Sequence, residues 1–405
     1  MRVIIIADYA ISEGGAPQVA IASAIGLAEL GHEVTYIQGV GDAGDGALDA
    51  HPDIRRISLG GQDIWSKNLL AAAKDGIWNS DHKARLASIL AGFDAADTVV
   101  HVHQWTKFFS PSVFSIIRKS GLPLVISLHD YFLSCPTGLM YRFDRKEPCE
   151  AKPLSLACLT APCDPRTSLH KAIRVMRSIA TDRALGNSPF TAIHVSEIGR
   201  RTIGHFLPAE ARQVVLENPI ECEDRGVRKA GDTRKIVYCG RLTEEKGADL
   251  VASAARHLGM PSLFIGDGPL RERIREIDPD AEITGWLDKH AVRDRVARDA
   301  LAVVAPSRWP ETGPLVIAEA MSSGVPVIVS NRAGSAGRVQ HGRNGFVVSP
   351  NVESIAQAIT ELRLPEKVRE MGEAAYETFW AAPPTLQAHA RKLAEIYSAA
   401  LSPVL

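Results

Sequence analysis

The sequence predicts an α/β protein of two doubly wound domains facing a cleft, on three observations. Its 405 residues exceed one ordinary core, and a typical domain length makes two the working count. In both halves, short unbroken apolar runs alternate with helical stretches, the pattern of parallel strands covered on both faces. A polar, charged stretch from Glu221 to Arg234 separates the two series and marks the boundary. The first domain is placed at residues 1–220, the second at 221–379, and a final helix at about 380–405 returns to the first.

In the first series, Val3 to Ala7 is a buried-strand run that ends in a polar loop holding Gly14 and Gly15. A helix from Pro17 to Leu30 follows, closed by Gly31, and Val34 to Ile37 is the next strand. Thr98–His103 and Leu124–His129 are further strands, each running into polar residues at its carboxyl end, the edge where open α/β sheets bind ligands. In the second series the strands are Lys235–Cys239, Ser262–Ile265, Ala300–Ala305 and Val325–Ser330. The tail from Tyr376 through Tyr397 reads as helix broken at Pro383-Pro384, with Ala388, Leu393, Ile396 and Tyr397 as its apolar face.

Composition narrows the function. Hydrophobic residues at 45% and charged residues at 23% describe a globular chain, and 46 basic against 47 acidic side chains give a net charge of -1. No global field draws it to nucleic acid, so any anion site is local. The opening apolar run stops at Asp8, too short for a signal-peptide core or a membrane span, and six Cys make no disulfide framework. A cytoplasmic protein is expected.

The strongest candidate site runs from Pro306 to Pro326. Pro314 suits the first position of a helix of about ten residues, and Gly324 suits the position after it. The N–H groups of that helix start, around Gly313, Leu315 and Val316, then face the carboxyl edge of the strand ending at Ala305 and suit phosphate oxygens. Glu311 before the helix and Glu319 on its second turn would repel phosphate, so they suit neutral sugar and ribose hydroxyls. The second stretch, Val237 to Gly247, places Gly240 and Arg241 at a strand end and Lys246 one loop later. A guanidinium and an ammonium there can neutralise a diphosphate without a metal.

These stretches, in this order, resemble the nucleotide-sugar half of GT-B glycosyltransferases of family 4, the glycosyl transferases group 1. The resemblance rests on Gly240-Arg241 to Lys246-Gly247, Gly266-Asp267-Gly268-Pro269, Gly285-Trp286, Glu311 to Glu319, Gly324-Val325-Pro326-Val327 and His341-Gly342-Arg343-Asn344-Gly345. It implies two Rossmann-like β/α/β domains and metal-independent, retaining transfer of a sugar from a nucleoside-diphosphate sugar to an acceptor hydroxyl, with no cofactor. It assigns Arg241 and Lys246 to the diphosphate, Glu311 to sugar hydroxyls, Glu319 to the ribose and the backbone near Trp286 to the base. In the first domain Gly14-Gly15 looks like the family's glycine loop, and His129 like its strand-end histidine beside the reacting sugar. His101 and His103 are candidate acceptor contacts or buried structural residues. The implied acceptor is a glycan or lipid-linked glycan in polysaccharide biosynthesis, with peripheral contact at the inner face of the membrane a further expectation. A non-catalytic nucleotide-sugar or glycan-binding subunit and a sugar-nucleotide epimerase of the same fold are the alternatives.

Two departures from the family pattern stand out. Gly313-Pro314 replaces the usual Phe-Gly, and Arg338 stands where relatives commonly carry an acid. Outside the pattern, Cys135, Cys149, Cys158 and Cys163 fall within 29 residues but contain no Cys-x-x-Cys, so separate buried thiols are favoured over structural zinc. From Arg166 to Leu185, basic residues at Arg166, His170, Lys171, Arg174 and Arg177 lie opposite Leu169, Ile173, Met176 and Ala180. The pattern reads as a solvated basic face with its apolar side packed on the domain, ahead of a membrane-binding helix.

Overall fold

The structure is a computed structural model and describes residues 1–11, 14–228 and 235–402. Its chain order is β1 (Arg2–Ala7), β2 (Glu33–Val40), β3 (Ile54–Gly61), β4 (Thr98–Val102), β5 (Leu124–Leu128), the short hairpin β6 (Tyr141–Arg142) and β7 (Glu147–Pro148), β8 (Phe190–His194) and β9 (Ala211–Val215). The second half holds β10 (Lys235–Cys239), β11 (Ser262–Ile265), β12 (Glu282–Gly285), β13 (Ala300–Ala305), β14 (Val327–Ser330) and β15 (Gly345–Val348). Two parallel sheets result, ordered β3-β2-β1-β4-β5-β8-β9 and β12-β11-β10-β13-β14-β15. Each is doubly wound, as the apolar runs predict.

Alternation within single strands shows why these runs are unbroken. Ile4 and Ile6 enter one core layer, whereas Val3, Ile5 and Ala7 enter the layer on the opposite face of the sheet. In the second sheet Ile236 and Tyr238 divide from Val237 in the same way. Both faces of these strands are covered, which is why their apolar runs are unbroken. Winding reverses between β1 and β4 and between β10 and β13, and the crevices at those reversals open at the carboxyl ends of the strands.

The final helix, Leu386–Leu401, packs on the helix Gly15–Glu29 of the first half. Tyr397 places its hydroxyl 2.6 Å from His101 Nδ1, and His389 Nε2 lies 3.1 Å from Ser23 Oγ. Leu393 and Tyr397 are buried as expected; Ala388 is exposed, and His389 and Ala390 take the inward positions. The i, i+4 rows starting from Leu393 and Tyr397 select Ala390 and His389 over Ala388.

The helix Ser168–Leu185 reverses its expected orientation. Lys171 and Arg177 are buried, while Leu169 and Met176 are 57% and 48% exposed. The inward cations meet backbone oxygens of the cysteine-bearing segment: Lys171 those of Cys158 and Ala161, Arg177 that of Pro136, and Arg174 that of Thr137.

Candidate active site

The second-sheet reversal brings the two motif stretches together. Gly240 follows β10 and Pro306 follows β13, and those strands are neighbours. Arg308 ties the loops: its backbone N–H donates to Glu245 O at 2.8 Å, and its guanidinium grips Asp249 through two 2.7 Å bonds while donating to Glu244 O. Motif reading did not single out Arg308 or Asp249, since a buried fork pairing across 59 residues has no local signal. Gly266 supports the same edge from β11. Its φ of +139° and the 2.1 Å that would separate an added Cβ from Gly240 O leave room only for glycine.

Within this edge, Lys246 Nζ pairs with Glu311 Oε1, and Ser307 Oγ donates to Glu311 Oε2. Glu311 is buried and Lys246 partly exposed, so the ammonium reaches toward the crevice over a carboxylate held on both oxygens. Arg241 is exposed, and among the described residues its side chain has no hydrogen bond or ion pair. It lies within electrostatic reach of Lys107 from the first half, whose ammonium burial holds below the ordinary lysine range, with Arg241 and Arg166 adding repulsion and Asp63 and Asp8 opposing it.

The helix after Glu311 runs Leu315–Ser322. Pro314 is its N-cap, with φ −67° and ψ 116°, and not its first residue, which corrects the expected start by one position. Proline has no N–H to offer, so Leu315 and Val316 carry the first free donors. Gly313, Pro314 and Leu315 line a cavity of about 40 Å³ shared with Val195 and Glu217 of the first half. Arg338 also lines it and pairs with Glu217, which gives that departure from the family pattern a structural role. One turn into the helix, Glu319 borders a recess with Arg293, Val296 and Val316, and burial raises its carboxyl while Arg293 and Lys289 draw it down. Trp286 follows Gly285 at the end of β12 and is 65% exposed.

The first half closes on this edge through the loop after β5. Thr312 Oγ1 donates to His129 O at 3.0 Å, and the Tyr131 hydroxyl donates to Pro310 O. Trp309 crosses into the first-half core, edge-on to Tyr131 with centroids 6.2 Å apart. His129 Nε2 lies 3.0 Å from His103 Nδ1, their rings stacked, and burial drives the His129 imidazole down to about 3. It is neutral at pH 7. His101 is bonded between Tyr397 and Ser127 and fully buried, so of its two readings the structural one holds; His103 is also buried, one step behind His129.

Gly14 caps the helix Gly15–Glu29 with φ +94°, a conformation that favours glycine, and an added Cβ there or at Gly15 would meet nothing within 4 Å. The preceding Ser12 and Glu13 are outside the described residues. Asp8, at the end of β1, accepts backbone N–H bonds from Lys107 at 2.8 Å and Phe108 at 3.0 Å, and burial pushes its carboxyl up to about 6. It braces the loop that carries Lys107.

Residues 220–378 match the family model described as glycosyl transferases group 1. The second half is a group 1 glycosyltransferase domain. The chain is 33% identical over 158 residues to an exopolysaccharide phosphotransferase of Streptomyces coelicolor, covering 36% of this chain and 16% of that one. It is 30% identical over 167 residues to a GDP-mannose-dependent alpha-(1-6)-phosphatidylinositol monomannoside mannosyltransferase of Mycobacterium tuberculosis, covering 37% and 43%. The chain thus aligns with less than half the length of these relatives. Solved structures extend the likeness to both halves. Sucrose-phosphate synthase from Thermosynechococcus elongatus superposes with a TM-score of 0.70 at 18% identity, covering 98% of each chain. Anabaena HepE in complex with UDP-glucose gives 0.66 at 16%, covering 98% of this chain and all of that one. The group 1 domain and its partner half therefore form the GT-B fold.

Proposed function

We propose that this protein transfers a sugar, with retention of anomeric configuration and without a metal ion, from a nucleoside-diphosphate sugar to an acceptor hydroxyl. The observation that carries the reading is the Lys246–Glu311 pair at the start of the helix Leu315–Ser322, facing the His129 loop across the crevice. Cleavage of the donor bond builds negative charge on the diphosphate as the sugar becomes oxocarbenium-like. Arg241, Lys246 and the N–H groups of Leu315 and Val316 are the groups that offset it. Glu311 holds Lys246 and takes sugar hydroxyls, Glu319 takes the ribose, and the backbone at Trp286 takes the base. His129, neutral at pH 7, hydrogen-bonds sugar or acceptor without competing for the diphosphate. The departing phosphate oxygen takes the acceptor proton, so the chain needs no nucleophile of its own.

UDP-glucose in the HepE structure and GDP-mannose in the mannosyltransferase name support a nucleoside-diphosphate donor. Their context supports a glycan or lipid-linked glycan acceptor. No helix among the described residues is long and apolar enough to cross a membrane. The exposed Leu69, Leu70, Leu169 and Met176, with Arg166 and Lys67 nearby in sequence, support peripheral contact with an anionic bilayer at the cytoplasmic side.

The test is a thermal-shift screen over nucleoside diphosphates and their sugar conjugates, followed by turnover with the stabilising donor. Release of the diphosphate with an acceptor product of increased mass is the expected result. Saturable donor binding with no release across a broad acceptor panel would instead make the protein a sensor, and a changed sugar nucleotide without acceptor would make it an epimerase.

A further inference from the structure

The crevice at the first-sheet reversal gathers positive charge around an exposed indole. Lys107 lies in the loop after β4 and the short helical turn Ile64–Ser66 follows β3, so both stand at the carboxyl edge of the first sheet. They are joined directly: Ile64 N–H donates to Lys107 O at 2.9 Å. Asp63 caps the turn by accepting the Trp65 N–H at 2.8 Å, and it also accepts the Tyr9 hydroxyl. Trp65 is thereby fixed in place while 42% exposed.

Two cations lie over that indole. The Arg166 guanidinium carbon is 3.8 Å from the ring centroid and Lys107 Nζ is 5.4 Å from it. A guanidinium stacked on an aromatic face keeps its N–H edge free for an anion. Among the described residues the Arg166 side chain has no hydrogen bond or ion pair, and Lys107 pairs only with Asp63, at 3.8 Å. Asp63 is already engaged by Tyr9 and the Trp65 N–H, and Asp8, the other acid within reach, by backbone N–H groups. Arg166 and, from the opposite half, Arg241 both stand within electrostatic reach of Lys107. In the proposed transfer Arg241 and Lys246 answer the donor diphosphate. Arg166 and the half-buried Lys107 are left without an anion of their own.

We propose that Lys107, Arg166 and Trp65 form the acceptor subsite, and that the acceptor carries a phosphate or a carboxylate near the hydroxyl that receives the sugar. The inference rests on the transfer reading and adds to it the chemical class of acceptor. The anion takes the guanidinium edge and the ammonium, and the indole offers an apolar face to the acceptor's sugar ring. Because Lys107 is within reach of Arg241, an anion held there lies next to the donor, where the accepting hydroxyl has to be. These residues make and break no bond; they select and position the acceptor. A neutral acceptor leaves the desolvated Lys107 ammonium without a counter-charge, which is the basis of the discrimination.

The experiment titrates the full chain, saturated with its stabilising nucleoside diphosphate, with octyl hexosides of several sugars, each as neutral sugar, uronate and sugar phosphate, and follows tryptophan emission. Turnover with the sugar nucleotide then gives KM for the same probes. Charged forms are expected to change the emission saturably and to have KM values about tenfold or more below those of the neutral forms. Trp65→Phe should abolish the emission change. Arg166→Gln should raise KM for the charged forms about tenfold, with KM for neutral forms and the affinity for nucleoside diphosphate unchanged, and Arg166→Lys should recover part of the loss. A preference between uronate and phosphate names the anion. Equal use of neutral and charged forms, no emission change with any charged form, or binding of charged forms that does not depend on Arg166 would each overturn the proposal and leave sugar transfer standing. An emission change with phosphatidylglycerol vesicles but with none of the soluble anions would assign these cations to a bilayer, and would overturn it too. Failure of every nucleoside diphosphate to bind would instead remove the transfer reading, and the emission titration without nucleotide would still decide whether the anion site exists.

Discussion

Lys246 and Glu311 are 65 residues apart, yet the ammonium of one rests on the carboxylate of the other at the mouth of the crevice. Under the proposed transfer Lys246 has two states, held by Glu311 as here or drawn to a diphosphate. Glu311 remains bonded to Ser307 in either. Lys246→Ala should therefore lower kcat about a hundredfold or more by removing charge from the leaving group. It should also cost about 1–3 kcal/mol of stability by leaving a buried carboxylate with one partner, and the double variant with Glu311→Ala should recover part of that loss. Near wild-type turnover for Lys246→Ala would remove it from the chemistry.

Glu319 is the group the proposed transfer assigns to the ribose hydroxyls, and among the described residues its carboxylate has no hydrogen-bond partner to lose. Glu319→Gln keeps the shape and removes the charge. Weakened binding of the nucleoside diphosphate, on the order of tenfold or more, is expected in calorimetry without acceptor. Unchanged affinity would place the ribose elsewhere.

Tyr131 joins the halves through its hydroxyl, which donates to Pro310 O beneath the Trp309 ring. Tyr131→Phe leaves that carbonyl without its donor. A loss of about 1–2 kcal/mol in urea unfolding and a larger radius of gyration in small-angle scattering are expected. Were both unchanged, the contact would not hold the two halves together.

Acid should destabilise the fold from about pH 6.5 downward. Burial lowers His82 and His389 to about 4 and His129 to about 3, and holds His101 and His103 well below the ordinary range. Each binds a proton in the unfolded chain near 6.5 that the folded chain refuses, so its contribution is complete above that pH and is lost as pH falls. Asp8 and Asp130, raised to about 6, act oppositely between about 4 and 6, but five imidazoles outweigh two carboxyls. Denaturant titrations should show stability falling by on the order of 2–4 kcal/mol between pH 6.5 and 5. A flat profile would mean that water reaches these rings.

Much of the fold is local in origin and so was legible. Runs such as Val3–Ala7 and Ala300–Ala305 read as doubly covered strands, and the loops that bear Arg241, Lys246 and Glu311, with the helix that bears Glu319, announce themselves by glycine and proline at strand and helix ends. Half-exposed strands escaped that reading: β3, with exposed Arg55, and β9, with Val215 41% exposed, lack an unbroken apolar run.

The sequence by itself determined the doubly wound pattern and the chemical kinds of group at each strand end, because periodicity, capping and charge are properties of neighbours along the chain. Tertiary structure alone decided that Lys246 is held by Glu311, that Arg308 grips Asp249, that His101 belongs to the core, and that four scattered thiols share one wall with an inward-turned Lys171. Those contacts span tens to hundreds of residues. Burial of charge and closure of a cavity depend on what the rest of the chain packs against them, and no local pattern encodes that.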